Sequence, residues 1–176
     1  GDEDGYTEYE GDCDDEDPER SPGLTEECNE KDNDCDGEIN DDFKDGFEDN
    51  DTKATAYSLG AVDGDEYASE TETITMTLHD PGDEDWLYFY ADDDWGIDDV
   101  DLSIQVGPFP ATWSVVVELY LDDGVVDTAS GSGTLSLGYD GDTWDGGEDD
   151  FWIRVYATTW VAAECATTFN VSITDS

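Results

Sequence analysis

Residues 113–121 read Trp113-Ser114-Val115-Val116-Val117-Glu118-Leu119-Tyr120-Leu121. Trp113, Val115, Val117, Leu119 and Leu121 fall at every second position, a period that a pleated strand converts into one apolar face. Asp122-Asp123-Gly124 follows as a hairpin signal and leads into Val125-Val126. Outward from this segment the same period recurs. Upstream, Ile74, Met76 and Leu78 share a face of the run 71–78, and Val100, Leu102, Ile104 and Val106 alternate cleanly. Trp86 to Tyr90 is a continuous apolar and aromatic run, as expected of a strand covered on both sides. Downstream, Leu135 and Leu137, then Phe151 to Tyr156, then Phe169, Val171 and Ile173 bring the count to about eight strands. Short strands between Gly/Asp turns, with no helical period, predict an all-β fold. It is an antiparallel β-sandwich or jelly roll over residues 45–176.

Residues 1–44 differ in kind. They hold three of the four cysteines, no Trp and almost no apolar periodicity. Ser21-Pro22-Gly23 reads as a turn, and Leu24 to Cys28 as one short helical turn capped by Ser21. A loop region this long needs disulfides or metal to hold it. The chain thus divides into a loop-rich, calcium- and disulfide-stabilised motif, 1–44, and a sandwich domain, 45–176.

Charge narrows the function. Against 51 Asp and Glu stand 5 Lys and Arg, a formal charge of −46 in 176 residues. Aromatic residues at 12% and hydrophobic ones at 36% still allow a core. At ~0.1 M salt screening acts beyond about 10 Å, so monovalent ions reduce the self-repulsion without removing it. Bound divalent cations remove more, and adaptation to high salt is the rival explanation of the acidity. Nucleic acid is excluded as a partner because it needs clustered Lys and Arg, and an anionic membrane surface fails for the same reason. No apolar stretch approaches the ~20 residues of a membrane span, so membrane insertion is not expected. Four cysteines favour an oxidising compartment. The start at Gly1 without Met fits a mature secreted chain or an excised piece.

The sharpest local pattern is Asp32-Asn33-Asp34-Cys35-Asp36-Gly37-Glu38-Ile39-Asn40. Asp32, Asp34 and Asp36 stand at positions 1, 3 and 5 of an EF-hand-type calcium loop, and Gly37 makes the tight turn at 6. Glu38 offers its carbonyl at 7, Ile39 packs inward at 8 and Asn40 supplies an oxygen at 9. Phe43 occupies position 12, where the loop normally has Glu, so Asp41 or Asp42 has to close the site. Asp2-Glu3-Asp4-Gly5-Tyr6 with Asp12-Cys13-Asp14-Asp15 is a weaker version of the same idea.

In their order, the Asp-x-Asp-Gly-Tyr, Gly-Asp-Cys-Asp-Asp, Pro22-Gly23, Glu27-Cys28 and Asp-Asn-Asp-Cys-Asp-Gly elements resemble the Asp/Cys-rich metal-binding repeat of bacterial surface proteins, the MopE-type motif, over residues 1–43. The resemblance implies cation binding in a secreted protein, with Asp2, Asp4, Asp12, Asp14, Asp32, Asp34 and Asp36 as ligands. A second resemblance covers the remainder. Phe47-Glu48-Asp49-Asn50-Asp51-Thr52, Ala56, Leu59-Gly60 and Gly82-Asp83-Glu84-Asp85-Trp86-Leu87-Tyr88-Phe89 are similar to bacterial pre-peptidase C-terminal domains. These are β-sandwich appendages of secreted hydrolases, some of them calcium-dependent collagen-binding modules. Carried over, Glu48, Asn50, Asp51, Asp83 and Asp85 match positions that hold calcium in those members. Asp49 departs from the family's usual small apolar or Pro residue.

Other signals weigh less. His79, the single histidine, reads as a turn residue without special role, and no Ser–His–Asp or Cys–His set forms around it. Carboxylate pairs carry no information among 51 acids. Trp86 and Trp113 are expected to be buried in the sandwich, whereas Trp95, Trp144 and Trp160 lie in turn-like surroundings suited to surface recognition. The four cysteines allow three pairings. Cys28–Cys35 across the calcium loop, with Cys13–Cys165 as the anchor of a coreless motif, is the pairing predicted. The sequence therefore points to a secreted or cell-surface, calcium-binding, non-catalytic protein of structural or adhesive function. It would be a subunit of an extracellular assembly or filament, partnered by itself, a neighbouring extracellular protein or a polysaccharide. The alternative is a carbohydrate- or protein-binding accessory module of a larger secreted hydrolase.

Overall fold

The alternation that begins at Trp113 becomes β5 (Ser114–Leu121), in which Val115, Val117 and Leu119 are fully buried and the residues between them are half-exposed. In a computed structural model that describes residues 1–62, 70–92, 100–141 and 148–175, nine strands form two sheets. The others are β1 (Tyr57–Ala61), β2 (Glu70–Thr77), β3 (Glu84–Asp92), β4 (Val100–Phe109), β6 (Gly124–Gly131), β7 (Gly133–Gly141), β8 (Glu148–Thr159) and β9 (Thr168–Asp175). The order is β1-β3-β8-β5-β6 in one sheet and β2-β9-β4-β7 in the other. This is the expected sandwich, with one strand more than the eight read from the sequence. The extra strand is β1, whose exposure pattern shows no alternation and which pairs parallel to β3 while every other pair is antiparallel.

Inward side chains of both sheets make one core. Leu87 pairs across the strands with Ile153, and Phe89 with Phe151, whose rings stack 5.3 Å apart. Phe109 meets Phe169 at 4.9 Å under the second sheet. Each fully buried Phe or Ile of this kind contributes about 1.5–3 kcal/mol. Trp113 is 3% exposed and belongs to the core, as expected. Trp86 is also buried, but on the outer face of the five-stranded sheet, with Tyr120 at 5.3 Å and the Arg154 guanidinium 5.6 Å above its ring. Trp160 is half-buried, donates Nε1–H to the Leu78 carbonyl at 3.1 Å and stands 6.4 Å from the Trp113 ring. It packs against the core and is no free platform. Trp95 and Trp144 lie outside the described residues.

Ahead of β1 the chain is loop, with one-turn 3-10 helices at Glu8–Glu10 and Asp41–Phe43. Leu24 to Glu27 carry no regular structure, so the short helical turn does not form; the Ser21 carbonyl instead accepts Leu24 N–H at 3.0 Å in the predicted turn. All four cysteines are paired, as expected, but in a different arrangement. The bonds are Cys13–Cys35 and Cys28–Cys165, in place of Cys28–Cys35 and Cys13–Cys165. The two acidic loops lie against each other: Cys13 donates its N–H to Cys35 Sγ at 3.1 Å, and its own Sγ lies 3.8 Å from the Asp32 carbonyl. Cys28 is thereby left to anchor the motif to the sandwich.

Candidate metal sites

Among the described residues, carboxylates converge in three places along the N-terminal half. The first collects Asp2, Asp4 and Asp12, each offering an oxygen within 4.8 Å of the others. The loop aims them by a repeated device. Asp2 Oδ1 accepts Asp4 N–H at 3.2 Å, Asp4 Oδ1 accepts Tyr6 N–H at 2.9 Å, and Asp12 Oδ1 accepts Asp14 N–H at 2.8 Å. One oxygen of each carboxylate shapes the turn, and the second, Oδ2 in all three, is buried without a protein partner. Asp14 is engaged elsewhere: its Oδ2 takes Arg20 Nη1 at 3.3 Å.

The second cluster is the EF-hand-like loop. Gly37 makes its turn at φ +102°, a conformation that a side chain would strain, and donates N–H to Asp32 Oδ2 at 3.1 Å. Asp34 Oδ1 accepts Asp36 N–H at 3.1 Å, and Asp36 Oδ1 accepts Glu38 N–H at 2.9 Å. Oxygens of Asp32 and Asp34 lie within 4.8 Å of one from Glu26, a residue that the loop pattern does not contain. Glu26 is 5% exposed. Its Oε1 accepts the N–H groups of Asn33 (2.6 Å) and Asp34 (3.2 Å), and its Oε2 that of Asn40 (2.6 Å). Asp36 itself is exposed. Ile39 does not pack inward; it is 40% exposed. The Glu38 side chain pairs with Lys44. Of the two residues expected to replace the missing Glu, Asp42 is spent on Glu26 N–H at 3.2 Å. Asp41 keeps a buried Oδ1 without partner, and burial, then the charges of Asp36 and Asp34, raise its pKa.

The third cluster sits where motif meets sandwich. Oxygens of Asp45, Glu48 and Asp85 lie within 4.8 Å of one another, and so do ligand atoms of Glu48, His79 and Asp83. Asn50 is fully buried; its Nδ2 donates to Asp85 Oδ1 at 3.2 Å, and its carbonyl accepts Trp86 N–H at 3.0 Å. Asp45 ties the group to β2 by accepting Thr77 N–H at 2.8 Å. One buried oxygen each of Glu48, Asn50, Asp83 and Asp85 has no hydrogen-bond partner among the described residues. Burial, reinforced by neighbouring carboxylates, pushes the Glu48 carboxyl up to about 7 and Asp85 well above the usual range. Burial also raises Asp83 against the pull of His79. For His79, burial works to lower the pKa, but the hydrogen bond and charge of Asp83, then Glu48 and Asp80, leave it above the ordinary value. Glu48, Asn50, Asp83 and Asp85 are brought together as the sequence reading grouped them. Asp51 is exposed and groups with Glu48 and Asp49 at the rim. Asp45 and His79 join through the fold alone.

The second and third clusters share one connector. Asn40, fully buried, donates its backbone N–H to Glu26 and its Nδ2–H to the His79 carbonyl at 3.0 Å.

A family model described as "Putative metal-binding motif" (Cu-binding MopE) matches residues 12–41. That span holds Asp12, Glu26, Asp32 and Asp34. No curated protein matches the chain. Among solved structures, the chain is similar to the pre-peptidase C-terminal domain of collagenase from Bacillus anthracis, at 13% identity and TM-score 0.45, over 67% of this chain and 93% of that one. It is also similar to the Yersinia pseudotuberculosis-derived mitogen (12%, TM-score 0.38, 61% and 84%). A third is PliG of Aeromonas hydrophila, a periplasmic inhibitor of g-type lysozyme (10%, TM-score 0.34, 69% and 99%). These likenesses are distant, and the fold rests on the chain's own strand pairing.

Proposed function

We propose that the chain is a calcium-binding, non-catalytic structural or adhesive protein that works outside the cell, its acidic motif and motif–sandwich junction made rigid by bound ions. One observation carries this reading: among the described residues, buried carboxylate and amide oxygens without a hydrogen-bond partner gather in three places, Oδ2 of Asp2, Asp4 and Asp12, Oδ1 of Asp32 and Asp41, and Glu48 Oε1, Asn50 Oδ1, Asp83 Oδ1 and Asp85 Oδ2. A buried charge without a partner is costly, and a cation is the partner that such a set of oxygens fits. Asp2, Asp4 and Asp12 would hold one ion, Glu26, Asp32 and Asp34 with Asp41 another, and Asp45, Glu48, Asn50 and Asp85 a third. The donors are hard oxygens, and the motif's thiols are closed in disulfides, so calcium is favoured there over copper. The two disulfides support an oxidising, extracellular setting.

Calcium at 100 times its dissociation constant adds about 2.7 kcal/mol per independent site, roughly 5–10 °C in melting temperature for a chain of this size. The test is thermal unfolding in calcium, in chelator, and in chelator with NaCl of equal ionic strength. We expect a large loss in chelator that NaCl does not restore; complete restoration by NaCl overturns the calcium reading in favour of salt adaptation.

A second reading, the accessory binding module, is supported by the outer face of the five-stranded sheet. Half-buried Tyr88, Tyr120, Trp152 and Tyr156 lie across β3, β5 and β8 there, a sequence of rings suited to stacking against sugar or protein.

A further inference from the structure

Beside the oxygen-only clusters the junction holds a nitrogen donor. His79 is the chain's only histidine and is 5% exposed. Its Nδ1 lies 2.6 Å from Asp83 Oδ2 and 3.5 Å from Glu48 Oε1, and the side chains of these acids are 0% and 6% exposed. Asp83 Oδ2 already accepts the His79 backbone N–H at 2.7 Å. Among the described residues, buried Asp83 Oδ1 and Glu48 Oε1 have no hydrogen-bond partner. An ion pair between His79 and Asp83 accounts for the short contact; it leaves Asp83 Oδ1 without a hydrogen bond and Glu48 Oε1 with only a 3.5 Å contact to the same nitrogen.

One imidazole with two carboxylates is a donor set for borderline divalent ions, whereas calcium takes 6–8 oxygens. Zinc bonds of about 2.0–2.2 Å to N and O place neighbouring donors roughly 3–3.5 Å apart; the 3.5 Å between Nδ1 and Glu48 Oε1 meets that spacing, whereas the 2.6 Å between Nδ1 and Asp83 Oδ2 is a hydrogen-bond distance, so a metal on Nδ1 would displace the proton shared there. A histidine that binds metal through one nitrogen usually turns the other toward a carboxylate or carbonyl; here Asp80 Oδ2 lies 3.8 Å from Nε2. The backbone on either side is fixed, since the His79 carbonyl accepts Asn40 Nδ2–H. A cleft of about 380 Å³ reaches His79, Glu48 and Asp80 from the surface, past Gly37 and Lys44, which provides a path for an ion.

We propose that Glu48, His79 and Asp83 form a metal site of a second kind, for a borderline divalent ion such as zinc or copper(II), next to the calcium cluster of Asp45, Asp85 and Asn50. Glu48 belongs to both groups and is the bridge between them. The proposal rests on the reading that the junction binds cations, and adds which ion enters which half.

The experiment is electron paramagnetic resonance, with nitrogen modulation, on the full chain in excess calcium after addition of one equivalent of copper(II) as probe. Because the chain has a single histidine, an imidazole signature can come only from His79. The expected result is that signature, retained in calcium and lost on adding zinc. In parallel, His79→Gln and Asp83→Asn are expected to weaken zinc binding by at least about tenfold. A copper spectrum from the unmodified chain with oxygen donors alone overturns the proposal, whether or not the variants fold. So does zinc affinity unchanged in a folded His79→Gln chain. If the imidazole signal appears while calcium fails to stabilise the fold, the calcium reading falls and this site stands. If calcium stabilises and no imidazole signal appears, only this site falls.

Discussion

Glu26 organises the EF-hand-like loop more than any residue inside it. Its carboxylate takes three backbone N–H groups, from Asn33, Asp34 and Asn40, while an oxygen stays within reach of Asp32 and Asp34. No spacing rule points to it, because it enters from the preceding segment, held there by Asn33, whose side chain accepts Glu27 N–H and donates to the Glu19 carbonyl. At the junction, burial of charge makes the metal-free protein pH-sensitive. The Glu48 carboxyl moves from 4.5 to about 7 on folding, and Asp83, Asp85 and His79 also move upward. A raised pKa means that the folded state holds more protons than the unfolded state, so stability is present at low pH and is lost as pH rises through the window. In chelator, the melting temperature is expected to fall as pH rises from about 4.5 to about 7, and Glu48→Gln to flatten that slope. Calcium binding needs the ionised form, so calcium should reverse it. A metal-free protein that gains stability with rising pH across this window would contradict the assignment of these shifts.

At the scale of elements, the strands that alternate were visible from the sequence because one face of each meets the core. β1 was not, since it is half-exposed on the edge and pairs parallel to β3. The motif has no such face, and covalent ties replace it. The Cys28–Cys165 bond closes 137 residues and the Cys13–Cys35 bond closes 22. The chain-entropy relation assigns roughly 5 kcal/mol to the longer closure and roughly 3 kcal/mol to the shorter. Replacing Cys28 and Cys165 by Ser is therefore expected to cost more stability in denaturant unfolding than replacing Cys13 and Cys35. An equal or smaller cost would mean that the anchor is carried by Asn40, Asp45 and the junction contacts instead.

For the whole molecule, charge decides. Each of the five Lys and Arg side chains already pairs with a carboxylate: Arg20 with Asp14, Lys31 with Asp17 and Glu19, Lys44 with Glu38, Lys53 with Asp123, and Arg154 with Glu84 and Glu118. Such half-exposed pairs add about 0–1 kcal/mol each, and they leave −46 uncompensated. Repulsion of that size opposes self-association, and ions bound in the acidic motif lower it where two chains would meet. Val125 and Val126 on the edge strand β6 are 50% and 41% exposed, an apolar edge that another chain can pair with. Light scattering of the purified chain is expected to show larger species in millimolar calcium than in chelator. A monomer in both conditions would remove the assembly reading and favour the accessory module.

Periodicity and spacing were enough to determine the sandwich and to mark the acidic loop around Asp32 and Asp34, because each depends on neighbours along the chain. Strand alternation is local, and Val115-x-Val117-x-Leu119 carries it whole; Asp32-x-Asp34 with the turn at Gly37 carries only part of the loop, since Asp36 and Ile39 are exposed. What lies far apart in sequence was left to the tertiary structure. The partners of Cys13 and Cys28, the entry of Glu26 beside Asp32, and the meeting of Glu48 with His79, Asp83 and Asp85 depend on where loops are laid against a finished core. Among 51 acids no composition singles out those few. Burial does so, by stripping water from particular oxygens and leaving them without a hydrogen-bond partner among the described residues.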